Sequence, residues 1–291
     1  MSSRLLRALG CALPLLCLVQ HAEADNLRWP GHLQLGAQWI KQVAPANNRY
    51  ESPPQVSYDA QQQLHVSSKC ASFLTLMLQH AYPDIIDAHA LYTLFGSTSP
   101  EAAQWYDALP HGLGPAAGIS FVALDANLKT PSARHLRNGK TLLLAAGDVL
   151  VSKYTEGTIS GHVMSVNSIK APTVDQVIAL SGTQAIPGVK LVRRWVVEII
   201  DSSATPHGTN DTRFQHDAKE SDGNDHGIGR GTILLYEDAT PGGAHEGEVV
   251  GWAWSEQSSY TYQFSQPNAV DNKGKTTYRP LRIGRFAGAG L

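Results

Sequence analysis

The segment SSKCASFLTLMLQHAY, residues 67–82, decides the fold of this chain, because a cysteine there precedes a regular apolar pattern. Apolar residues recur after the cysteine at three- and four-residue spacing, which predicts an amphipathic helix with one apolar face: Phe73, Leu74, Met77 and Leu78. Pro83 is expected to end that helix, and Ser67 or Ser68 to cap its start. Cys70 then lies in the first helical turn, where the partial positive charge favours a thiolate.

The chain begins with a pattern typical of an export signal. A basic start, MSSRLLR, precedes the apolar run ALGCALPLLCLV, and the small residues AEA end at Ala24. This pattern predicts a signal peptide over residues 1–24 and an exported protein, either periplasmic or extracellular. Because Cys11 and Cys17 fall inside that peptide, Cys70 would be the single thiol of the mature protein and would form no intramolecular disulfide.

Composition excludes several classes of function. The chain has 291 residues, and its 23 basic and 25 acidic residues give a net charge of −2, which offers no electrostatic footprint for nucleic acid. No segment after the signal approaches the roughly 18 apolar residues of a membrane span, so no stable membrane insertion is expected. The sequence gives no indication of the oligomeric state.

The pattern of apolar and polar residues changes at two points along the chain. Residues 25–66 show little periodicity and are interpreted as an irregular N-terminal wrap. After the first helix, DIIDAHALYTLFG predicts a second that Gly96 ends, and SPEAAQWYDAL a third with Ser99 as cap and Pro100 at its first position.

From Asn138 onward the sequence predicts strands, beginning after an Asn-Gly turn. The strand segments are DVLVSKY, GHVMSVNSI, DQVIALS, KLVRRWVVEIIDSS, GTILLYED, GEVVGWAWS and TTYRPLRIGRF. Helices followed by mainly antiparallel strands predict an α+β fold. Residues 67–291 are interpreted as one elaborated domain with a β-rich C-terminal extension.

The order of elements offers Cys70 a catalytic partner. A thiol becomes an effective nucleophile when a histidine takes its proton and a third polar group orients that histidine. His162 opens one strand and Asp201 ends another, so both are candidates. His207 is the alternative base and Glu198 the alternative orienting group. The alternative role for Cys70 itself is that of a small buried hydrophobic residue.

The motifs KCASF, AAGDVLV and GHVMSV, in this order, resemble the NlpC/P60 type of papain-like cysteine hydrolases. That pattern places a cysteine at a helix start, Gly-Asp before a strand and His-Val at the start of the next strand. The resemblance covers roughly residues 58–205, with long insertions. The chain departs from the family pattern at Lys69, where an acidic residue is usual, and at Ala71 and Ser72, where Ser-Gly is usual.

The resemblance implies a papain-like α+β fold, in which N-terminal helices pack on a mainly antiparallel sheet. It implies Cys70 as nucleophile, His162 as base and Asp201 as the third residue, with Tyr58 as a tyrosine that binds substrate. The activity implied is cleavage of an amide bond in a peptide or in peptidoglycan by a cysteine peptidase or amidase that needs no cofactor. Related folds also include acyltransferases and non-catalytic binding proteins.

Two further regions remain open in function. The loop DSSATPHGTNDTRF contains Asp201, His207, Asp211 and Arg213. It is interpreted either as a cation or substrate site to which His207 contributes, or as a loop held together by an Asp-Arg pair. His207, His216 and His226 show none of the usual zinc spacings, so no metal is predicted.

Two short motifs also have alternatives. GIGRG is interpreted as a turn before the strand TILLYED. WAWS and SYTYQF either stack on sugar rings, which would make this a cell-wall or glycan-binding module, or belong to the core.

Overall fold

The computed structural model describes residues 31–109, 119–123, 137–138, 141–142, 144–170, 177–179, 186–214, 225–271 and 273–288. The predicted signal peptide lies outside these residues. None of the described helices combines the length and the apolar composition needed to cross a membrane.

The described residues form an α+β structure, as predicted. The helices are α1 (Gly31–Gln42), α2 (Cys70–Ala81), α3 (Ala88–Phe95) and α4 (Ala102–Ala108), with a short 3-10 helix at Pro45–Asn47. The strands are β1 (Asn48–Arg49), β2 (Gln55–Tyr58), β3 (Leu64–Ser67), β4 (Ile119–Ala123), β5 (Arg137–Asn138), β6 (Thr141–Leu142), β7 (Val149–Lys153), β8 (Gly161–Lys170), β9 (Val177–Ala179), β10 (Leu191–Ser203), β11 (Gly227–Asp238), β12 (Val249–Ala253), β13 (Tyr262–Gln263) and β14 (Leu281–Gly288).

One antiparallel sheet dominates the structure. Its strands follow the order β13-β12-β11-β10-β8-β7-β14-β4, and β9 pairs with β10. The final strand β14 lies inside this order, between β7 and β4, so the C-terminal region is part of the sheet and not a separate extension. The strands β5 and β6, on either side of the Asn-Gly turn, pair antiparallel as that turn predicts.

The helices pack on the sheet and hold the site in place. Helix α2 lies against β8 and β10, and α4 against β7. Side chains alternate between two cores, because successive strand residues point to opposite faces. Val149, Val151 and Val163 join the core shared with the helices, whereas Leu150 and Met164 join the second core. Most of β7 and the first six residues of β8 are therefore buried on both faces.

The prediction of an irregular N-terminal wrap was wrong. The segment contains helix α1 and the three-stranded sheet β1-β3-β2. Leu33, Gly36 and Trp39 form the buried face of α1, which packs on α2. The three-residue spacing was present in the sequence, but the glycine and the polar residues between these positions weaken the apolar pattern.

Two of the predicted caps were also wrong. Helix α2 is capped by Lys69, whose N–H donates to Ser72 Oγ at 2.8 Å, and not by Ser67 or Ser68. Helix α4 begins two residues later than predicted from Ser99 and Pro100, since the Gln104 side chain accepts the N–H of Glu101 at 2.8 Å. In both helices a side chain in the first turn reaches back to the backbone.

Other helix limits match the prediction. Helix α2 ends at Ala81, just before Pro83. Helix α3 ends at Gly96, which adopts a left-handed φ of +66° and donates its N–H to the Tyr92 carbonyl at 2.8 Å.

Asn48 joins the N-terminal segment to the main sheet. Its Nδ2 donates to the Ile228 carbonyl at 2.8 Å, and its Oδ1 accepts the Ile228 N–H at 2.7 Å. Because Asn48 is buried, this amide replaces a strand neighbour for Ile228.

We expect Asn48→Ala to lower the free energy of unfolding by about 2–4 kcal/mol, because both backbone groups of Ile228 lose their partner. Asn47→Ala is the matched control, since its side chain makes one exposed contact with Gln63 at 3.4 Å, and it should cost at most about 0.5 kcal/mol. Urea unfolding measures both variants. Equal losses in the two variants would show that Asn48 does not join the two parts.

Candidate active site

Cys70 is the first residue of α2, with its side chain turned toward the start of β8. It is buried, at 7% exposure, and its sulfur lies 3.8 Å from the Gly161 carbonyl oxygen. The His162 ring and the backbone N–H groups of Val163 and Ala71 all act to lower the pKa of the thiol. The thiol therefore lies among polar groups, although it borders the apolar core.

His162, the second residue of β8, is fixed on both sides. Its Nε2 lies 2.6 Å from Asp201 Oδ2. A carboxylate only accepts hydrogen bonds, so Nε2 carries a proton and Nδ1 is left to face Cys70. This is the tautomer in which His162 can take the proton of the thiol.

The pKa values of this pair move in opposite directions. Burial raises the pKa of the Cys70 thiol, but the charge of His162 and the hydrogen bonds to the sulfur outweigh burial and lower the pKa below its ordinary value. Burial likewise lowers the pKa of His162, but the Cys70 thiolate and Asp201 raise it to about 9. Both directions favour a thiolate-imidazolium pair near neutral pH.

Asp201, near the end of β10, accepts hydrogen bonds from three basic side chains. Its Oδ2 also accepts from His207 Nε2 at 3.0 Å, and its Oδ1 from Arg213 at 2.8 Å. Burial would raise the pKa of Asp201, but the charges of Arg213 and His207 hold it well below its usual range. The alternative residue Glu198 contacts Asn167, Ser168 and Arg230 instead.

His207 lies behind Asp201 and not in the cavity, so its predicted contact with substrate was wrong. It is fully buried, and its Nδ1 lies 2.7 Å from the Trp254 carbonyl oxygen while Nε2 faces Asp201. Both partners are hydrogen-bond acceptors. The ring also stacks on Trp254, with centroids 4.0 Å apart.

Arg213 completes the buried network. It contacts both Asp201 and Asp211, as one alternative for this loop predicted, and donates to the Gly227 carbonyl at 3.0 Å. Both carboxylates pair with the Arg213 guanidinium. Each buried charge therefore has an opposite charge beside it, as burial requires.

The motif GIGRG forms part of β11 and not a turn. Gly229 stands opposite Asp201 in the β10–β11 pairing. A Cβ on Gly229 would lie 2.5 Å from Arg213 Nε, and one on Gly231 would lie 2.5 Å from Asp211 Oδ2. These glycines leave room for the buried charges, which a sequence pattern does not reveal.

A cavity of about 410 Å³ opens beside His162. Its lining includes five aromatic side chains, Tyr50, Tyr154, Trp254, Tyr260 and Tyr262, with Ile159, Gly161, Arg279 and other residues. The Gly161 carbonyl oxygen lies 3.8 Å from the Cys70 sulfur, and burial and the Cys70 thiol both raise the pKa of Tyr50.

The prediction that Tyr58 binds substrate was wrong. Tyr58 is 53% exposed, does not line the cavity and donates to Gln42 at 3.0 Å. Of the tyrosines that line the cavity, Tyr50 is the one that precedes the cysteine, by twenty residues. No local motif marks it, because its place depends on the pairing of β1 with β3.

Within the part of the chain that the structure describes, His162, Asp201 and His207 form the one group that could hold a metal ion. Two ligands of a tetrahedral zinc ion lie about 3.4 Å apart, given bond lengths near 2.1 Å. His162 Nε2 and Asp201 Oδ2 are 2.6 Å apart, which fits a hydrogen bond, and Arg213 already supplies a cation. These residues do not fit a metal. In the alternative zinc cluster, His216 lies outside the described residues.

Comparisons with known proteins do not identify the chain. No protein-family profile and no solved structure matches it. An uncharacterized protein of Acanthamoeba polyphaga mimivirus is 23% identical over 225 residues, which cover 75% of this chain and 76% of that protein.

We expect the Cys70–His162 pair to make alkylation of the thiol nearly independent of pH. The thiolate exists above the lowered pKa of Cys70, and His162 stays protonated up to about pH 9, so the rate with iodoacetamide should change little from pH 6.5 to 8.5. In His162→Ala, burial leaves the thiol protonated, and the rate at pH 6.5 should fall at least about tenfold. A wild-type rate that rises about tenfold per pH unit, like that of an ordinary thiol, would contradict the ion pair.

We expect Gly161 to be essential to the position of His162. Gly161 has a φ of +150°, and a Cβ there would overlap the Ser152 carbonyl oxygen on β7. Gly157, with a φ of +85° and nothing within 4 Å, is the matched control in the same β7–β8 connection.

Gly157→Ala should cost about 1–2 kcal/mol of stability through its backbone conformation alone. Gly161→Ala should cost about 1–3 kcal/mol more and slow alkylation of Cys70, because the start of β8 must shift. Urea unfolding and iodoacetamide kinetics measure the two effects. Equal behaviour of the two variants would exclude this role for Gly161.

Proposed function

We propose that this protein is an exported cysteine hydrolase that cleaves an amide bond in cell-wall peptide. One observation carries the proposal: Cys70 at a helix start lies against His162, whose far nitrogen is held by Asp201, next to a cavity large enough for part of a peptide. Nucleophile, base and orienting residue have the geometry that cysteine catalysis requires.

The reaction follows from the hydrogen bonds. The Cys70 thiolate attacks the amide carbonyl carbon, and the backbone N–H groups of the first turn of α2, which lack acceptors within the helix, stabilise the oxyanion. The imidazolium of His162 gives its Nδ1 proton to the amide nitrogen, so that the C–N bond breaks, an amine leaves and a thioester forms. His162 then takes a proton from a water molecule while that water attacks the thioester carbonyl carbon. The Cys70 thiolate leaves, and the product is a carboxylic acid.

Asp201 acts on this reaction through His162. Its 2.6 Å contact with Nε2 keeps Nδ1 directed at the sulfur and stabilises the imidazolium. His207 and Arg213 in turn keep Asp201 ionised and fixed in position. His207 and Arg213 are positioning residues that act through Asp201, since neither lines the cavity.

A papain-like fold of the NlpC/P60 type is part of the proposal. It is supported by the order of the site elements: the helix that carries Cys70 comes first, and antiparallel strands that carry His162 and Asp201 follow. The Gly-Asp motif before β7 has a structural role consistent with this resemblance. Asp148 is fully buried, accepts the Ala145 N–H at 2.7 Å and pairs with Arg285 of β14.

Cell-wall peptide as substrate and export as location are supported by the resemblance and by the signal pattern of residues 1–24. The alternative of a non-catalytic glycan-binding module is favoured by one feature, the aromatic wall of the cavity. Two of those aromatic rings, Tyr154 and Tyr262, already pack against the Arg279 guanidinium. An acyltransferase would use the same thioester with a different acceptor.

We expect the purified protein to release peptide fragments from peptidoglycan, detected by mass spectrometry. Cys70→Ser should lower the rate at least about 10³-fold, and Asp201→Asn about 10²- to 10⁴-fold, because the amide holds His162 in the wrong tautomer. Glu198→Gln is the matched control and should retain the wild-type rate.

The outcomes separate the alternatives. Peptidoglycan binding without fragments would favour the module, and a reactive thiol without fragments would remove cell-wall peptide as the substrate. Transfer of the acyl group to an added amine in preference to water would identify an acyltransferase. A large loss in Glu198→Gln with a preserved fold would move the orienting role to that residue.

A further inference from the structure

Arg279 stands out among the arginines of the described residues. Four others pair with a carboxylate: Arg193, Arg213, Arg230 and Arg285. Arg279 lines the cavity beside His162 and has no carboxylate partner among the described residues. Its Nε is buried and makes no hydrogen bond. A cation thus lies in the cavity without an anion.

The Arg279 guanidinium is held in place by rings. Its Cζ lies 3.8 Å from the centroid of Tyr154 and 4.3 Å from that of Tyr262. A guanidinium packed on aromatic faces keeps its charge and directs its N–H groups outward in the plane, the geometry that binds a carboxylate.

The backbone of Arg279 is equally fixed. Its carbonyl accepts Trp252 Nε1 at 2.9 Å, and its N–H donates to the Gln263 carbonyl at 3.2 Å. Trp252 and Gln263 are both buried, so the side chain starts from a rigid position. Such preorganisation lowers the entropy lost when an anion binds.

The position of Arg279 relates it to the reactive thiol. Tyr154 packs on Arg279, and both line the same cavity as Gly161, whose carbonyl oxygen lies 3.8 Å from the Cys70 sulfur. Lys275, whose Nζ lies 4.9 Å from the centroid of Tyr260, adds a second cation to the same wall. The neighbouring carboxylate of Asp271 does not pair with Arg279; it accepts hydrogen bonds from the backbone N–H groups of Lys273 and Lys275.

We infer that Arg279 forms a subsite that binds a carboxylate of the substrate, so that the amide bond cleaved belongs to an anionic peptide. This inference rests on the proposed function, because it places the carboxylate beside a bond attacked by Cys70. The attraction is a charge-assisted hydrogen bond, formed where Arg279 has lost part of its contact with water.

The test uses alkylating reagents that differ only in charge. N-iodoacetyl derivatives of glycine, β-alanine and γ-aminobutyrate, each as the free acid and as the carboxamide, carry the carboxylate at increasing distance from the reactive carbon. At pH 7, Cys70 should react at least about tenfold faster with the acid than with the amide of the best-fitting length. In Arg279→Gln the ratio of the acid rate to the amide rate should fall to about one.

Arg282→Gln is the matched control. Arg282 also packs on a tyrosine, with its Cζ 4.0 Å from the Tyr106 centroid, but it does not line the cavity. This variant loses the same charge and should retain the preference for acids. Arg279→Lys should keep part of it, and it serves as the second variant if Arg279→Gln does not fold.

Equal rates with acid and amide at every length in the wild type would overturn the subsite, and so would a preference that survives in Arg279→Gln or vanishes equally in Arg282→Gln. Failure of the proposed function is recognised separately, by a thiol that reacts with none of the amides at pH 7. Loss of the preference in Arg279→Gln alone supports the subsite.

Discussion

The buried carboxylate of Asp201 is the group on which the rest of the site depends. An ion taken out of water costs several kcal/mol unless hydrogen bonds and opposite charge compensate for it. Asp201 is 1% exposed, and three basic side chains compensate it: His162, His207 and Arg213. Because Nε2 of His162 is one of these donors, the ring has a single orientation. The requirement to compensate the charge of Asp201 therefore sets the position of the other ring nitrogen, which is proposed to act as the base.

The same requirement determines local features of the fold. The carboxylates of Asp201 and Asp211 both pair with Arg213, and Asp201 also contacts His207 Nε2. Such a cluster needs space within a sheet whose strands are otherwise tightly packed. The glycines of β11 provide it, because a side chain at Gly229 or Gly231 would occupy the place of Arg213 or Asp211. Glycine is unfavourable in a strand interior, and here packing of the charges outweighs that preference.

The sequence predicted those features that local patterns determine. Helix α2, the end of α3 at Gly96 and the strands that carry His162 and Asp201 follow from periodicity and turn residues. Residues placed by distant contacts escaped prediction. Asn48 bonds to Ile228 across 180 positions, and Tyr50 reaches the thiol because β1 pairs with β3. The prediction that GIGRG forms a turn was wrong for the same reason. Glycine is needed there to leave room for side chains of another loop, and the neighbouring residues in the chain do not reveal this.

The residues proposed for catalysis and the residues proposed to bind substrate come from different parts of this chain. Helix α2 with strands β8 and β10 carries the three proposed catalytic residues, and these elements pack directly on one another. The cavity wall instead combines Tyr50 from the N-terminal segment with Arg279, two residues before β14. Strand β14 lies between β7 and β4, and its pairing with these strands positions Arg279 at the cavity. A substitution in the wall can therefore change which substrate binds while the contacts among Cys70, His162 and Asp201 stay intact.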